Sequence, residues 1–175
     1  IEAGSREIRR EVSKGTFQVD DISSVIHLMQ QYDINIGANY IFGFPDDNRE
    51  SMQQTLDLAL ELNTEFANFY PCQALPGSAL YRSALQNGWE LPKEYAGYAF
   101  LSYEAQPLPT KFLSAAEVVS FRDQAWQTYF THEPYLQLVE RKFGKQQRLN
   151  VEDLARIKLK RRILKLRKMH RLLEV

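Results

Sequence analysis

The stretch Asn35-Ile36-Gly37-Ala38-Asn39-Tyr40-Ile41-Phe42-Gly43-Phe44-Pro45-Asp46-Asp47 decides how the rest of the chain is read. Residues 38–44 are apolar apart from Asn39 and carry no charge. An uncharged run rich in β-branched and aromatic residues predicts a strand buried on both faces, as in parallel sheets. Gly43 permits a sharp turn and Pro45 cannot extend a ladder, so the strand ends there. Asp46, Asp47 and Asn48 offer capping side chains ahead of a helix over Arg49–Leu62, which carries Met52, Leu56, Ala59, Leu60 and Leu62. Strand, turn and capped amphipathic helix make one βα unit, and such units bind ligands at the carboxyl end of the strand.

The unit repeats on both sides. Upstream, Ile1-Glu2-Ala3-Gly4-Ser5 reads as the tail of an earlier strand, and Ser5 caps a helix over residues 6–13 with Ile8 and Val12 on its stripe. Lys14-Gly15 ends that helix, and a second begins at Val19-Asp20-Asp21, with Ile22, Val25, Ile26, Leu28 and Met29 as its buried face. Downstream, residues 65–72 predict a third strand, followed by a turn at Pro76-Gly77-Ser78 and a helix over 79–87 stopped by Gly88. This alternation implies parallel strands joined by right-handed crossovers, as half of a barrel or part of an open sheet.

From residue 89 to 112 the periodicity disappears into an aromatic and proline-rich segment. It reads equally as a strap packed on the strands and as a substrate-facing loop. Ser114-Ala115-Ala116-Glu117 is a capping box that opens a helix to Phe130. Another helix covers 135–143, and a last one runs from Val151 to the end with Leu159, Ile163, Leu166 and Leu173 on one side. The organisation is a βα region over 1–92, a connecting segment over 93–113 and a helical region over 114–175.

Composition narrows the class. At 175 residues and 44% hydrophobic content the chain can bury one sizeable core with a helical extension. Acidic and basic residues balance at 22 each, yet residues 156–171 hold nine Lys or Arg and no Asp or Glu. The single cysteine, Cys72, excludes an internal disulfide and fits a reducing compartment. No run spans a bilayer and no signal peptide opens the chain, so a cytoplasmic protein is expected. His27, His132 and His170 lack metal-ligand spacing. The missing initiator methionine is read as the mark of a fragment.

Taken together, the Ile1–Ser5 segment, Asn39-Tyr40-Ile41-Phe42-Gly43-Phe44-Pro45-Asp46, and Asn68-Phe69-Tyr70-Pro71 with Pro76-Gly77-Ser78 resemble the C-terminal half of radical S-adenosylmethionine enzymes. The likeness is to the branch that carries a cobalamin-binding domain, and it extends to Leu108-Pro109-Thr110, Leu113-Ser114-Ala115-Ala116-Glu117-Val118, Phe121-Arg122 and Lys142-Phe143-Gly144. The resemblance implies an α/β fold: half of a partial (βα)6 barrel, with these three strands as the fourth to sixth. The implied chemistry is 5′-deoxyadenosyl radical attack on an unreactive carbon, with cobalamin-dependent methylation as an extension of it. Such enzymes hold a 4Fe–4S cluster on three closely spaced cysteines after the first strand. One cysteine cannot hold a cluster, so its ligands belong upstream and this chain alone is expected to be inactive.

What the chain would supply is half of an S-adenosylmethionine pocket. By resemblance, Glu2 at the end of the fourth strand, with Ser5 beside it, meets the ribose or methionine moiety. Lys14 meets the carboxylate, as a point charge rather than a fork. Asn39 bonds a ribose hydroxyl, Ile41 and Gly43 form an apolar wall with close backbone approach, and Tyr70, Pro71 and Cys72 flank the adenine. Asp46 stands where the family pattern has Glu. The residues alone also permit plainer roles: Glu2 as a solvated carboxylate, Lys14 as a helix-end cation, Cys72 as an inert buried thiol. Expected partners are the missing half-barrel, a cobalamin-binding domain and a small-molecule, lipid or tetrapyrrole substrate. A rival reading is a non-catalytic βα scaffold whose basic C-terminal helix binds an anionic membrane surface or, less favoured because Glu2 replaces the usual Gln, nucleic acid.

Overall fold

The computed structural model of the chain describes residues 1–11 and 19–165. Helix α1 (Arg6–Glu11) and helix α2 (Val19–Gln31) lead into strand β1 (Gly37–Phe42). Helix α3 (Arg49–Leu62) carries the chain back to strand β2 (Phe66–Pro71). Helix α4 (Ala79–Gln86) and the single turn α5 (Tyr95–Tyr98) come next, followed by α6 (Ala115–Phe130), α7 (Glu133–Phe143) and α8 (Lys145–Ala155).

Local chemistry sets these bounds. Asn48 caps α3 by accepting from Ser51 N–H at 2.9 Å, and the Ser51 hydroxyl accepts the Asn48 N–H at 3.0 Å. Ser114 and Glu117 form the same reciprocal cap on α6. β1 and β2 pair in parallel, with Asn39 opposite Asn68 and Ile41 opposite Tyr70. Ala38, Tyr40, Phe42, Ala67 and Phe69 turn to one face and pack on Met52, Leu56 and Ala59 of α3 and on Phe121, Ala125 and Tyr129 of α6. Phe69 is the hub, with the Tyr40 ring stacked at 5.4 Å, Phe42 at 5.9 Å and Tyr129 tilted at 5.3 Å.

Both strands alternate in burial, which corrects the expectation of a strand covered on two sides. The second face is open: Gly37, Asn39, Phe66 and Asn68 are exposed, and Ile41 and Tyr70 are half-buried. Asn39 is therefore an exposed amide on an uncovered face. At the amino end Phe66 meets the Phe143 ring at 5.7 Å, and at the carboxyl end Ile41 packs against Ala3, Ile8, Phe44 and Cys72.

The expected first strand shrinks to one parallel bridge, Glu2 to Tyr40. Glu2 donates its N–H to Asn39 O at 2.9 Å and accepts from Ile41 N–H at 2.8 Å. Two features stop the ladder there: Glu2 has φ of 68°, and Gly4 dives against α3. Gly4 N–H bonds Thr55 Oγ1 at 2.9 Å, and a Cβ on Gly4 would lie 2.3 Å from the Gln54 carbonyl oxygen. The fold is α/β with two parallel strands and a bridge; the half-barrel expectation goes beyond these elements.

The outer edge of β2 meets no strand among the described residues, and side chains occupy it instead. Arg122 Nε donates to Phe69 O at 2.7 Å, Tyr135 hydroxyl donates to Glu65 O at 3.3 Å, and Pro71 has no N–H to offer. The aromatic segment runs as a strap past the strands' carboxyl ends. Leu108 is buried and its N–H bonds Cys72 O, while Lys111 N–H bonds Pro45 O.

Two helical expectations change. In α2, Ile26 is buried and Ile22 and Met29 are partly so, while Val25 and Leu28 face solvent. The last helix does not run from Val151 to the end: α8 starts directly after Gly144, and residues 157–161 are irregular before a helical turn at 162–165. Arg161, 3% exposed, causes the break. Its guanidinium grips both carboxylate oxygens of Asp123 at 2.8 and 2.7 Å and bonds Phe100 O and Ser102 O at 2.8 Å each. Leu166 and Leu173 lie outside the described residues. No helix among the described residues is long and apolar enough to cross a membrane.

Candidate functional site

The two ends of the sheet differ in how their charges are settled. At the amino end, Glu65 is 2% exposed, yet every demand of its carboxylate is met. Lys142 Nζ sits 2.6 Å from one oxygen, and Ile36 N–H donates to the other at 2.9 Å. Burial pushes this carboxyl up, but the Lys142 ammonium and the backbone donors outweigh it and hold it below its ordinary value. Lys142 also reaches Asp33 at 3.0 Å, and Tyr129 hydroxyl donates to Thr64 O at 2.7 Å.

At the carboxyl end, the β1–α3 turn is built round a second buried carboxylate, Asp47. Its Oδ2 accepts the N–H groups of Gly43 and Phe44 at 3.0 Å each, and its Oδ1 accepts the Ser51 hydroxyl at 2.5 Å. No cation pairs with it among the described residues. Burial therefore raises its pKa despite these donors. Gly43 turns with φ of 86°, and a Cβ there would sit 2.3 Å from Val118 Cγ1, so its close approach is to α6. Asp46 pairs with Lys111 of the strap.

Arg9 lies at the same end. Its Nη1 donates to Ala3 O at 2.8 Å and Gly4 O at 2.6 Å, which places the guanidinium one to two residues beyond the Glu2 bridge. The residue is 2% exposed, and Nε and Nη2 are buried with no hydrogen-bond partner among the described residues. Burial, then the nearby Arg6 charge, lowers its pKa.

The predicted residues distribute as follows. Glu2, Asn39 and Ile41 are joined directly by the bridge hydrogen bonds, and Tyr70 lies opposite Ile41 in the ladder. Tyr70 packs edge-on against Phe100 at 4.9 Å. Ser5 is buried at the start of α1, where its carbonyl accepts Arg9 N–H. Pro71 and Cys72 are buried; the Cys72 thiol is pushed up to about 12 by burial and by Asp47, so it is an unreactive apolar contact at neutral pH. Lys14 lies outside the described residues.

Three residues escaped the sequence reading. Asn68 Nδ2 donates to Asn39 Oδ1 at 3.0 Å, forming an amide pair that leaves the Asn39 N–H donors pointing to no described acceptor. Aligning the two strands, Asn39-Tyr40-Ile41-Phe42 on Asn68-Phe69-Tyr70-Pro71, would have found it. Asp47 was treated as interchangeable with Asp46, and Arg9 carries no sequence signal beyond a charge next to Ile8.

A separate cavity of about 440 Å³ lies along the outer edge of β2, between Phe100, Leu101, Trp126, Ile157 and Leu159, and none of the predicted residues lines it. No three His, Cys, Asp or Glu residues among those described could hold a metal ion. The single buried cysteine does not fit an iron–sulfur cluster. The open face offers amide donors from Asn39 and Asn68, the kind of group that a nucleoside's hydroxyls accept from.

No family model matches the chain. Over 98 residues, 56% of its length, it is 28% identical to an uncharacterized methyltransferase of Pyrococcus horikoshii, covering 21% of that protein. Over 81 residues, 46% of its length, it is 28% identical to the bacteriochlorophyllide d C-12(1)-methyltransferase of Chlorobaculum tepidum, covering 18% of that protein. The chain thus spans about a fifth of the curated relatives that it matches and is distantly similar to methyltransferases.

Proposed function

We propose that this chain forms part of the S-adenosylmethionine pocket of a methyltransferase, specifically one of the radical S-adenosylmethionine type. The observation that carries the proposal is the bridge at Glu2, which sets Glu2, Asn39 and Ile41 side by side on a parallel sheet whose second face no helix among the described residues covers at Asn39 and Asn68. Parallel sheets are ordinarily covered on both faces, and their ligands sit at the strands' carboxyl ends. Similarity to two methyltransferases supports the same chemistry. The bound cofactor would supply the activated group.

Within this proposal the chain's residues bind and orient. The Asn39 amide donates to a ribose hydroxyl, Ile41 and Tyr70 wall the nucleoside, and Glu2 and Lys14 take the ribose or methionine end. The iron–sulfur ligands, and a cobalamin domain where one is used, belong to other parts of the protein. The substrate in this reading is a small molecule, a lipid or a tetrapyrrole, and the bacteriochlorophyllide named for one relative is in keeping with the last. The basic C-terminal segment fits less well as a binding surface, because Arg161 is buried on Asp123 and Arg162 pairs with Glu104.

Calorimetric titration of S-adenosylmethionine into the full-length protein tests the site. Asn39→Leu and Lys14→Ala are each expected to weaken binding about tenfold, the worth of one hydrogen bond or ion pair to a polar ligand. Unchanged affinity in both variants removes the site. An upstream sequence lacking three closely spaced cysteines removes the radical chemistry while leaving methyl transfer.

A further inference from the structure

Exposed apolar side chains are ordinarily scattered, and a contiguous set of them on a fixed frame marks a place where something apolar sits. Such a set borders the cavity of about 440 Å³ beside β2: Leu101, Leu154 and Ile157 are each more than half exposed, and Leu159 more than a third. The frame is held by charged groups. Arg161 ties Asp123 of α6 to Phe100 O and Ser102 O of the strap. Arg122 bonds Phe69 O and lies 5.4 Å over the Phe100 ring. Mostly apolar walls with a few polar groups, around a volume of about 300–1,000 Å³, are the marks of a small-molecule pocket.

The charges at the edge of this cavity have one sign to offer. A second, more polar recess of about 350 Å³ adjoins it and shares Gln124, Gln127 and Lys158 with it. Among the described residues no acid lines the recess, and the acid that lines the cavity, Asp123, has both oxygens taken by Arg161 and one also by Arg122. Neighbouring cations are committed too: Arg156 pairs with Asp153, and Arg162 with Glu104. Lys158 differs from them. It makes no ion pair among the described residues, and the side-chain amides of Gln124 and Gln127 make no hydrogen bond among them. An ammonium and two amides left over where an apolar cavity meets a polar recess suit a molecule with an apolar body and one anionic end.

We infer that this cavity binds a free amphipathic carboxylate, its apolar body among Phe100, Trp126, Ile157 and Leu159 and its charged end on Lys158 between Gln124 and Gln127. A bilayer also offers apolar anions, but it meets a protein across one face, whereas here the strap and α6 stand on either side of the occupant. The site is at the edge of β2, away from the Glu2 bridge, and the inference does not rest on the cofactor reading.

Calorimetric titration into the full-length protein tests it with three probes. Decanoate has both parts, decylammonium has the same chain with the opposite charge, and butyrate keeps the carboxylate but little of the chain. Wild type is expected to bind decanoate at least about tenfold more tightly than either of the others. Ile157→Asp, at an exposed position where the fold has little at stake, is expected to weaken decanoate about tenfold or more by setting a like charge against the chain. Lys158→Gln is expected to weaken decanoate about three- to fivefold, the worth of a part-exposed ion pair, and to leave decylammonium no weaker. Full affinity in Ile157→Asp puts the binding elsewhere and overturns the site, and equal affinity for the two charged chains overturns the choice of an anion. Binding to anionic phospholipid vesicles without binding of decanoate overturns the free carboxylate as occupant. A wild-type protein that binds none of the probes overturns the inference whole.

Discussion

The amino and carboxyl ends of the same two strands carry one buried carboxylate each, and they settle them in opposite ways. Glu65 is matched by the Lys142 ammonium and a backbone N–H. Asp47 is held by two backbone N–H groups and a hydroxyl, and among the described residues no cation pairs with it and no anion pairs with Arg9 at the same end. A region selected only for stability has no reason to leave charges of both signs uncompensated. The contrast teaches that the buried charge at the amino end is matched by an opposite charge of the chain itself, and that the charges at the carboxyl end, where ligands of parallel sheets bind, are not matched among the described residues.

The largest expected effect lies at the finished end. Lys142→Met strands Glu65 and should cost about 3 kcal/mol in urea unfolding at pH 7, the lower part of the range for a broken buried pair because Lys142 still touches water. Its pH signature is as telling. Glu65 sits below its ordinary pKa of 4.5, so its contribution is complete above that value and is lost as pH falls through the lower folded value. The variant should lose this acid sensitivity. Retaining it would break the claim that Lys142 settles the charge.

Gly43→Ala tests the carboxyl end and should cost about 2 kcal/mol, from left-handed backbone strain and displacement of Val118. A near-neutral change would mean that α6 is loosely seated there. Asp47→Asn should change stability by less than about 1 kcal/mol, since an amide keeps the shape and most of the hydrogen bonds. Here the pH dependence is reversed. The folded state binds the Asp47 proton more tightly than the unfolded chain, whose reference value is 3.8, so this contribution is complete below 3.8 and declines as pH rises through the folded value. Asp47→Asn should gain on wild type in unfolding titrations as pH rises above 3.8. A parallel pH profile would sharpen the comparison against us by making the two ends alike.

The smallest stability effect belongs to Asn39→Leu, within about 0.5 kcal/mol because the side chain is exposed, even though its effect on ligand affinity is the one sought. A large loss of stability would turn Asn39 from a ligand contact into a structural residue.

Sequence alone disclosed the βα order, the caps at Asn48 and Ser114, and the turn at Gly43, because these depend on local chemistry. It misjudged the burial of β1. Tyr40 and Phe42 pack inward while Ile41 faces the open side, so apolar residues on both faces read as continuous burial. The run of cations near the end reads as solvated, yet Arg161 is drawn inside by Asp123, 38 residues earlier in the chain, a pairing that no local pattern announces. The backbone bridge sets Glu2 beside Asn39 and Ile41, whereas Arg9 comes to notice only through hydrogen bonds it does not make among the described residues.

Side chains that occupy a strand's margin also fix the direction in which a sheet can grow. With Arg122 seated on the Phe69 carbonyl and Tyr135 on the Glu65 carbonyl just before β2, a newcomer strand finds those acceptors already taken. Extension is left to the opposite margin, beside Glu2, where a single bridge already shows the polarity that a neighbour must adopt.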